Sequence, residues 1–336
     1  MTLRQWTHTE PSALIDAYGR VHHDLRVSVT DRCGLRCTYC MPERVVPLPT
    51  GTLLSATEIE RLVGVAVTLG VRRVRLTGGE PLLRADLVEI VTRLAALPDP
   101  PELALTTSGV GLDRLAAPLA AAGLRRVNVS MDTLDPATYA AITGRDRLAA
   151  VRAGLAAARA AGLGPIKLNA VLLRGINDVQ APALLEFALD EGYELRFIEQ
   201  MPLGRARWDR ASLVTADEIL ERLGRSHTLT PVAVRGHAPA ARWLVDGGPG
   251  AVGIIAAVSR PFCGDCDRLR LTADGFLRSC LFALAEQDLR TPLRAGATDA
   301  DLAQVFAAGV AAKPAGHAIG RRDFRAPART MSAIGG

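Results

Sequence analysis

Between Leu25 and Met201, short runs rich in β-branched residues alternate with longer Ala/Leu-rich amphipathic runs. This rhythm limits what the chain can become more than any other feature. Period-two patterning predicts strands over Leu25–Thr30, Val71–Thr77, Leu103–Thr107, Arg126–Met131, Ile166–Leu172 and Glu194–Glu199. Helical patterning falls between them, over Thr57–Leu69, Ala85–Leu97, Gly111–Ala122, Leu148–Ala161 and Val179–Glu191. Gly70, Gly123, Gly162 and Gly192 supply stops, because glycine accepts the left-handed conformation that ends a helix.

Strands that alternate with helices pair in parallel under a helical cover. Six such units are too few for a closed eight-fold barrel, so the expected fold class is α/β, a partial (β/α)6 TIM-like barrel. Its mouth would lie at the C-terminal ends of the strands, where catalytic residues gather. After Met201 the rhythm changes. Pro202–Arg210 is irregular, Thr215–Leu223 looks helical, and Val232–Val258 alternates like antiparallel strands with Gly and Pro turns. The reading is therefore a barrel over residues 1–201 and a smaller domain over 202–336, with no low-complexity linker between them.

Length and composition narrow the class further. A chain of 336 residues that is 49% hydrophobic can bury a full core. Its longest apolar stretch, Leu148–Leu163, is interrupted by Arg152 and Arg159, so no membrane span is expected. Met1–Tyr18 carries charges and no apolar signal-peptide core, which points to the cytoplasm. The net charge of +5 comes from scattered arginines with few lysines, and aromatics are only 4%, so a nucleic-acid polymer is not the expected partner.

The six cysteines fall into two tight groups, and in a reducing compartment such groups signal metal or cluster ligation more often than disulfides. Cys33, Cys37 and Cys40 form C-x-x-x-C-x-x-C directly after the first predicted strand, where a barrel mouth would be. Three thiolates on one short loop can hold three irons of a cubane cluster and leave the fourth open to a ligand. A structural zinc would want a fourth ligand, which His22 or His23 could supply. The turn Thr77-Gly78-Gly79-Glu80-Pro81 follows the second strand, and its glycines allow a close backbone approach.

The second group is Cys263 and Cys266, then Cys280 after thirteen intervening residues, with no fourth cysteine. A second open cluster follows from that count, with a zinc knuckle completed by His or Asp265 as the alternative. Arg268 and Arg270 lie between its cysteines. Guanidinium forks grip phosphates and an open iron accepts a nitrogen or oxygen donor, so a nucleotide suits both demands.

The first spacing, with Tyr39 before its last cysteine, is the signature of the radical S-adenosylmethionine superfamily. Nearly the whole chain closely resembles its GTP 3',8-cyclase family, known as molybdenum cofactor biosynthesis protein A. The resemblance rests on Asp31-Arg32-Cys33, Arg75-Leu-Thr-Gly-Gly-Glu-Pro-Leu, Leu105-Thr-Thr, Asn128-Val-Ser-Met-Asp, Gly175-Ile-Asn-Asp, Arg196-Phe-Ile-Glu and Ser259–Arg270. It implies two 4Fe–4S clusters, held by Cys33, Cys37 and Cys40 and by Cys263, Cys266 and Cys280. It implies an S-adenosylmethionine site lined by Tyr39, Gly79, Ser130 and Met201, and a GTP site formed by Arg26, Arg75, Thr106, Lys167, Arg268, Leu269 and Arg270. The catalytic set it implies is Cys33, Cys37, Cys40, Arg268 and Arg270. The implied reaction is a lyase reaction: S-adenosylmethionine is cleaved to a 5'-deoxyadenosyl radical, the ribose 3' hydrogen of GTP is removed, and that carbon bonds to guanine carbon 8. A flavodoxin or ferredoxin donor, a downstream cyclic pyranopterin monophosphate synthase and a possible homodimer are implied as partners.

Two features temper the match. Ser108 stands where the family is expected to have asparagine, and Ile334-Gly335-Gly336 would by default be a loose terminus, whereas the family implies that it reaches into the active site. Two other readings stay open on sequence alone. One is a radical enzyme that modifies peptides and carries an auxiliary cluster, and the other is a non-enzymatic metal-binding module acting on RNA. The first would generally carry more C-terminal cysteines, and the second leaves the Gly-Gly-Glu-Pro turn and the strand cations unexplained.

Overall fold

The structure is a computed structural model that describes residues 13–42, 44, 46–203 and 208–335. The predicted strands form as β1 (Asp24–Ser28), β2 (Arg73–Thr77), β3 (Glu102–Thr107), β4 (Arg126–Ser130), β5 (Lys167–Leu172) and β6 (Glu194–Glu199). The predicted helices form as α1 (Ala56–Thr68), α2 (Leu87–Ala95), α3 (Leu112–Ala121), α5 (Leu148–Ala160) and α6 (Ala181–Asp190). One helix, α4 (Pro136–Thr143), was not foreseen, because its apolar residues do not line one face. Its start was nonetheless written in the chain: Asp135 accepts from the Thr138 amide at 2.7 Å and proline fills the first turn.

Alternation sorts each strand into two faces. Leu25 and Val27, Val74 and Leu76, Leu103 and Leu105, Val127 and Val129, Leu168 and Ala170, and Leu195 and Phe197 are buried against the helices. Their neighbours, among them Arg26, Arg75, Thr106, Ser130, Lys167 and Arg196, therefore point to the concave side. Burying a branched or aromatic side chain contributes roughly 1.5–3 kcal/mol, so the apolar parity sets the strand orientation and the polar residues follow.

The part after Met201 does not build a sheet of its own. β7 (Leu229–Pro231) and β8 (Ala241–Val245) follow α7 (Ala216–Gly224), and β8 is antiparallel to β7 and to β9 (Ala251–Ile255). β9 then runs parallel to β6 at one edge of the barrel. β10 (Arg268–Leu271) runs parallel to β1 at the other edge, followed antiparallel by β11 (Phe276–Arg278) and β12 (Gln287–Asp288). One open sheet results, in the order β12-β11-β10-β1-β2-β3-β4-β5-β6-β9-β8-β7. α8 (Arg290–Arg294), α9 (Asp299–Ala311) and α10 (Met331–Ile334) complete the chain, and α9 docks on α1, where Arg61 meets Asp299 at 2.8 Å.

Candidate active site

β1 delivers the first cysteine group at the C-terminal end of the barrel. The second group sits at the opposite end: Cys263 and Cys266 precede β10, whose first residue, Arg268, is level with Asp24 at the start of β1. β11 returns antiparallel to β10, so Cys280 comes to that same end. At about 3.3 Å per residue, the five residues of β1 separate the two groups by roughly 16 Å.

The first cysteine loop is pinned from three sides. The amides of Arg36 and Thr38 donate to the carbonyls of Thr143 and Ile142 at the end of α4, at 2.8 and 3.0 Å. Beneath the loop lie the two glycines of the turn after β2. A Cβ on Gly78 would stand 2.3 Å from the Thr30 carbonyl oxygen, and one on Gly79 would stand 2.3 Å from that of Arg32. Only glycine lets the two backbones meet there, with Gly79 and Glu80 donating to Thr30 and Arg32 at 2.7 Å. The buried Glu80 carboxylate then accepts from Thr107 Oγ1 at 2.6 Å and from the Ser108 amide and hydroxyl at 2.7 and 2.5 Å. The Ser108 hydroxyl thus has a partner inside the protein. On the third side, the Tyr39 hydroxyl donates to buried Asp132 at 2.8 Å, and Asp132 also accepts from the Val171 amide at 2.8 Å.

Electrostatics differ between the two cysteine groups. Burial pushes the Cys40 thiol up to about 12, with Cys33 and Asp132 adding to it, and burial raises Cys33 and Cys37 as well. Burial raises Asp132 to about 6. At the far end burial also opposes ionisation of Cys266, but the Arg268 guanidinium and Lys313 ammonium outweigh it and bring the thiol down to about 7.

Between the two ends the concave face carries a row of cations. Arg75, Arg26 and Arg270 are laterally adjacent on β2, β1 and β10. Among the described residues none of the three has a carboxylate within 4 Å, and Arg26 Nε and Arg75 Nη1 are buried without a hydrogen-bond partner. Burial, then the neighbouring guanidiniums, lowers Arg26 to about 10 and Arg75 to about 9 and depresses Arg270 strongly. Buried donors without partners are rare, and like charges held together out of water call for an anion. Lys167 stands on the same face with Arg196, both paired to Glu194 at 2.9 and 2.8 Å.

Of the residues singled out from sequence, Cys33, Cys37, Cys40, Tyr39, Gly79 and Ser130 come to the mouth, with Met201 just past β6. Arg26, Arg75, Thr106, Lys167, Arg268 and Arg270 face the interior. Leu269 does not: its side chain is fully buried in the outer apolar core, so it can offer only backbone to the interior. Gly335 lies inside the barrel, where a Cβ would stand 2.6 Å from Thr77 Oγ1, and its carbonyl accepts from Arg270. Gly336 lies outside the described residues. Sequence reasoning missed Arg196 and Arg126 on the same face, Asp132 behind Tyr39, and Lys313. The resemblance supplied Lys167, and strand alternation, which places Arg196 and Arg126 on the same face, was the signal that could have found them.

The residues fit the groups the chemistry needs. All six cysteines are free and partly accessible. Among the described residues no three His, Cys, Asp or Glu side chains converge on a point where one metal ion could be held, as a zinc knuckle requires. A cubane needs no such single point, because it spreads its thiolates over separate irons. The unpartnered guanidinium nitrogens suit a triphosphate.

An open parallel sheet with a three-cysteine loop after its first strand and a Gly-Gly-Glu turn after its second is the build of a radical S-adenosylmethionine protein. Residues 27–188 match the Radical SAM superfamily, and residues 193–319 match Molybdenum Cofactor Synthesis C. A crystal structure of Streptococcus suis SuiB bound to S-adenosylmethionine shares the fold, with a TM-score of 0.57 at 15% identity over 81% of this chain and 64% of that one. The chain is 56% identical over 328 residues to a GTP 3',8-cyclase of Streptomyces coelicolor, covering 96% of both. It is 52% identical over 336 residues to the GTP 3',8-cyclase of Corynebacterium glutamicum strain ATCC 13032, covering 96% of this chain and 89% of that one. The chain belongs to the GTP 3',8-cyclase family. This membership sets aside the peptide-modifying and RNA-binding readings of the sequence.

Proposed function

We propose that the protein converts GTP to (8S)-3',8-cyclo-7,8-dihydroguanosine 5'-triphosphate in molybdenum cofactor biosynthesis, using two 4Fe–4S clusters and S-adenosylmethionine. The observation that carries this reading is the row Arg75, Arg26 and Arg270 on the inner face, without a carboxylate partner among the described residues, between cysteine groups at opposite ends of one barrel. When bound at Cys33, Cys37 and Cys40, the first cluster supplies the electron that splits S-adenosylmethionine into methionine and a 5'-deoxyadenosyl radical.

The chain's own residues do the rest by position and charge. Tyr39, Gly79, Ser130 and Met201 would line the S-adenosylmethionine site, since each lies at or just past a strand end on the mouth side. Arg26, Arg75 and Lys167, with Thr106 beside them, would hold the triphosphate by side-chain cations. The sequence has no G-x-x-x-x-G-K-[ST] loop to do so with backbone amides. Arg268 and Arg270 would orient the guanine end toward the second cluster at Cys263, Cys266 and Cys280, with Leu269 contributing backbone only. The strands and tail after Met201 would shut the channel from water, which protects a carbon radical from stray hydrogen donors.

On this reading residues 1–201 form the radical-generating part and residues 202–336 the substrate and auxiliary-cluster part. No described helix is long and apolar enough to cross a membrane, and a cytoplasmic location suits this oxygen-sensitive chemistry. A flavodoxin or ferredoxin would supply electrons, a cyclic pyranopterin monophosphate synthase would take the product, and a homodimer is compatible with both. The test is an anaerobic reaction of reconstituted protein with dithionite, S-adenosylmethionine and GTP, followed by mass spectrometry. GTP-dependent 5'-deoxyadenosine with a cyclised product of the same mass as GTP is expected. Deoxyadenosine without GTP consumption would leave the radical chemistry and overturn the substrate.

A further inference from the structure

The chain uses arginine for 38 of its 40 basic side chains and lysine only twice, at Lys167 and Lys313. Both lysines are at least nine-tenths buried. Lys167 belongs to the cation row already described. Lys313, just past the end of α9, is 4% exposed and has no role in that row. Its ammonium donates to the carbonyls of Arg268 at 2.8 Å and Cys266 at 3.1 Å, and stands 3.7 Å from Cys266 Sγ. Arg268 Nη2 reaches the same sulfur at 3.4 Å. One thiolate of the second group therefore faces two cations, the buried Lys313 and the half-buried Arg268.

Among the described residues, no buried cation stands equivalently beside the first group. Its nearest buried charges are the carboxylates of Glu80 and Asp132, each 3% exposed, and the guanidinium of Arg36 nearby is turned to the Cys33 carbonyl at 2.6 Å. Reduction adds an electron to a cluster, and its potential rises with hydrogen bonds to sulfur and with nearby positive charge, both amplified away from water. Buried anions work in the opposite direction.

We propose that Lys313 is a tuning residue for the second iron–sulfur cluster, whose ammonium, together with Arg268, donates to Cys266 Sγ and sets that cluster's reduction potential above that of the first. Lysine suits the task better than arginine because its compact ammonium can bond two carbonyls and approach a sulfur at once, where a planar fork would need more room. The consequence is a division of labour. The first cluster stays strongly reducing, as cleavage of a sulfonium requires, while the second is held at a potential where it serves as a ligand site rather than a competing donor. The proposal rests on the reading that Cys263, Cys266 and Cys280 hold a cluster.

Potentiometric titration of the reconstituted enzyme, followed by electron paramagnetic resonance with iron counted in each sample, tests it. Wild type should show two midpoints, with the second cluster reduced first. Cys33→Ser and Cys280→Ser variants assign which signal is which. Lys313→Gln should lower the second midpoint and leave the first where it was, and Lys313→Met, which also removes the N–H donor, should lower it further. The reverse order of midpoints in wild type would overturn the proposal, as would an unchanged second midpoint in either Lys313 variant. A Lys313→Gln protein that no longer holds the second set of irons would make Lys313 a structural anchor and overturn it too. Wild type that never takes up the second set fails the cluster reading itself, which the iron count alone reveals.

Discussion

Arg268 and Arg270 alternate with Leu269, so two guanidiniums enter the channel while the leucine fills the core behind them. A hydrogen bond to a charged group contributes about 1.5–3 kcal/mol, so Arg268→Ala or Arg270→Ala should reduce GTP turnover by about 10- to 100-fold. Cleavage of S-adenosylmethionine at the other end should persist, and equal loss of both activities in a product assay would sink that division. A second residue-scale prediction concerns acid. His22 is fully buried beside Asp16, and its ring stands 3.6 Å from that carboxylate, yet it is not an ion pair. Burial first, then the nearby Lys313 and Arg20 cations, depresses the imidazole to about 4 from its ordinary 6.5. Folding therefore favours the neutral ring. That contribution is fully present above pH 6.5 and is lost as pH falls toward about 4, at a cost on the order of 3 kcal/mol. Urea titrations should show less acid destabilisation in His22→Gln than in wild type, and an identical loss would assign the effect to other groups.

At the scale of elements, the turn after β2 and the cysteine loop after β1 are one unit, because their backbones touch where side chains would have been. Gly79→Ala must displace the Arg32 carbonyl, an overpacking that costs roughly 1–3 kcal/mol. Gly34→Ala, on the same loop, meets nothing within 4 Å. Iron analysis should find the first cluster depleted in Gly79→Ala, the second retained, and both intact in Gly34→Ala. Full iron in Gly79→Ala would show that the loop can shift without harm. The motifs after the later strands support the same unit. Asp132 holds Tyr39, and the Asn177 side-chain amide donates to the carbonyls of Asp132 and Val171 at 2.8 and 2.9 Å, tying the ends of β4 and β5 together.

For the whole molecule, the decisive fact is that β9 and β10 join opposite edges of the sheet begun by β1 to β6. The connection between β9 and β10 carries Cys263 and Cys266 from one edge to the other. Buried Glu199 secures it, accepting from the amides of Val258, Ser259 and Ala216 at 2.8–2.9 Å. A fragment of residues 1–201 would bare the ladder groups of β1 and β6 at both edges, an open template for aggregation. It should lack a cooperative thermal transition by circular dichroism and regain one when co-expressed with residues 202–336. A cooperative transition in the fragment alone would instead make the two parts independent folding units.

Much of this protein was legible in local chemistry. Period-two and 3.6-residue patterns located six strands and five of the helices around them within two residues at each end, because burial of one face acts on each element separately. The cysteine spacings and the glycines at a strand end are likewise local, and they carried the expectation of a first cluster. Partner choice between strands is not local, so only the tertiary structure decided that the C-terminal strands would extend the barrel at both edges rather than form a sheet of their own. The same holds for groups distant in sequence that meet in space. The row Arg75, Arg26 and Arg270 exists only through strand register, Gly335 enters the barrel from the far end of the chain, and Lys313 finds Cys266 across 47 residues because α9 returns to the start of β10.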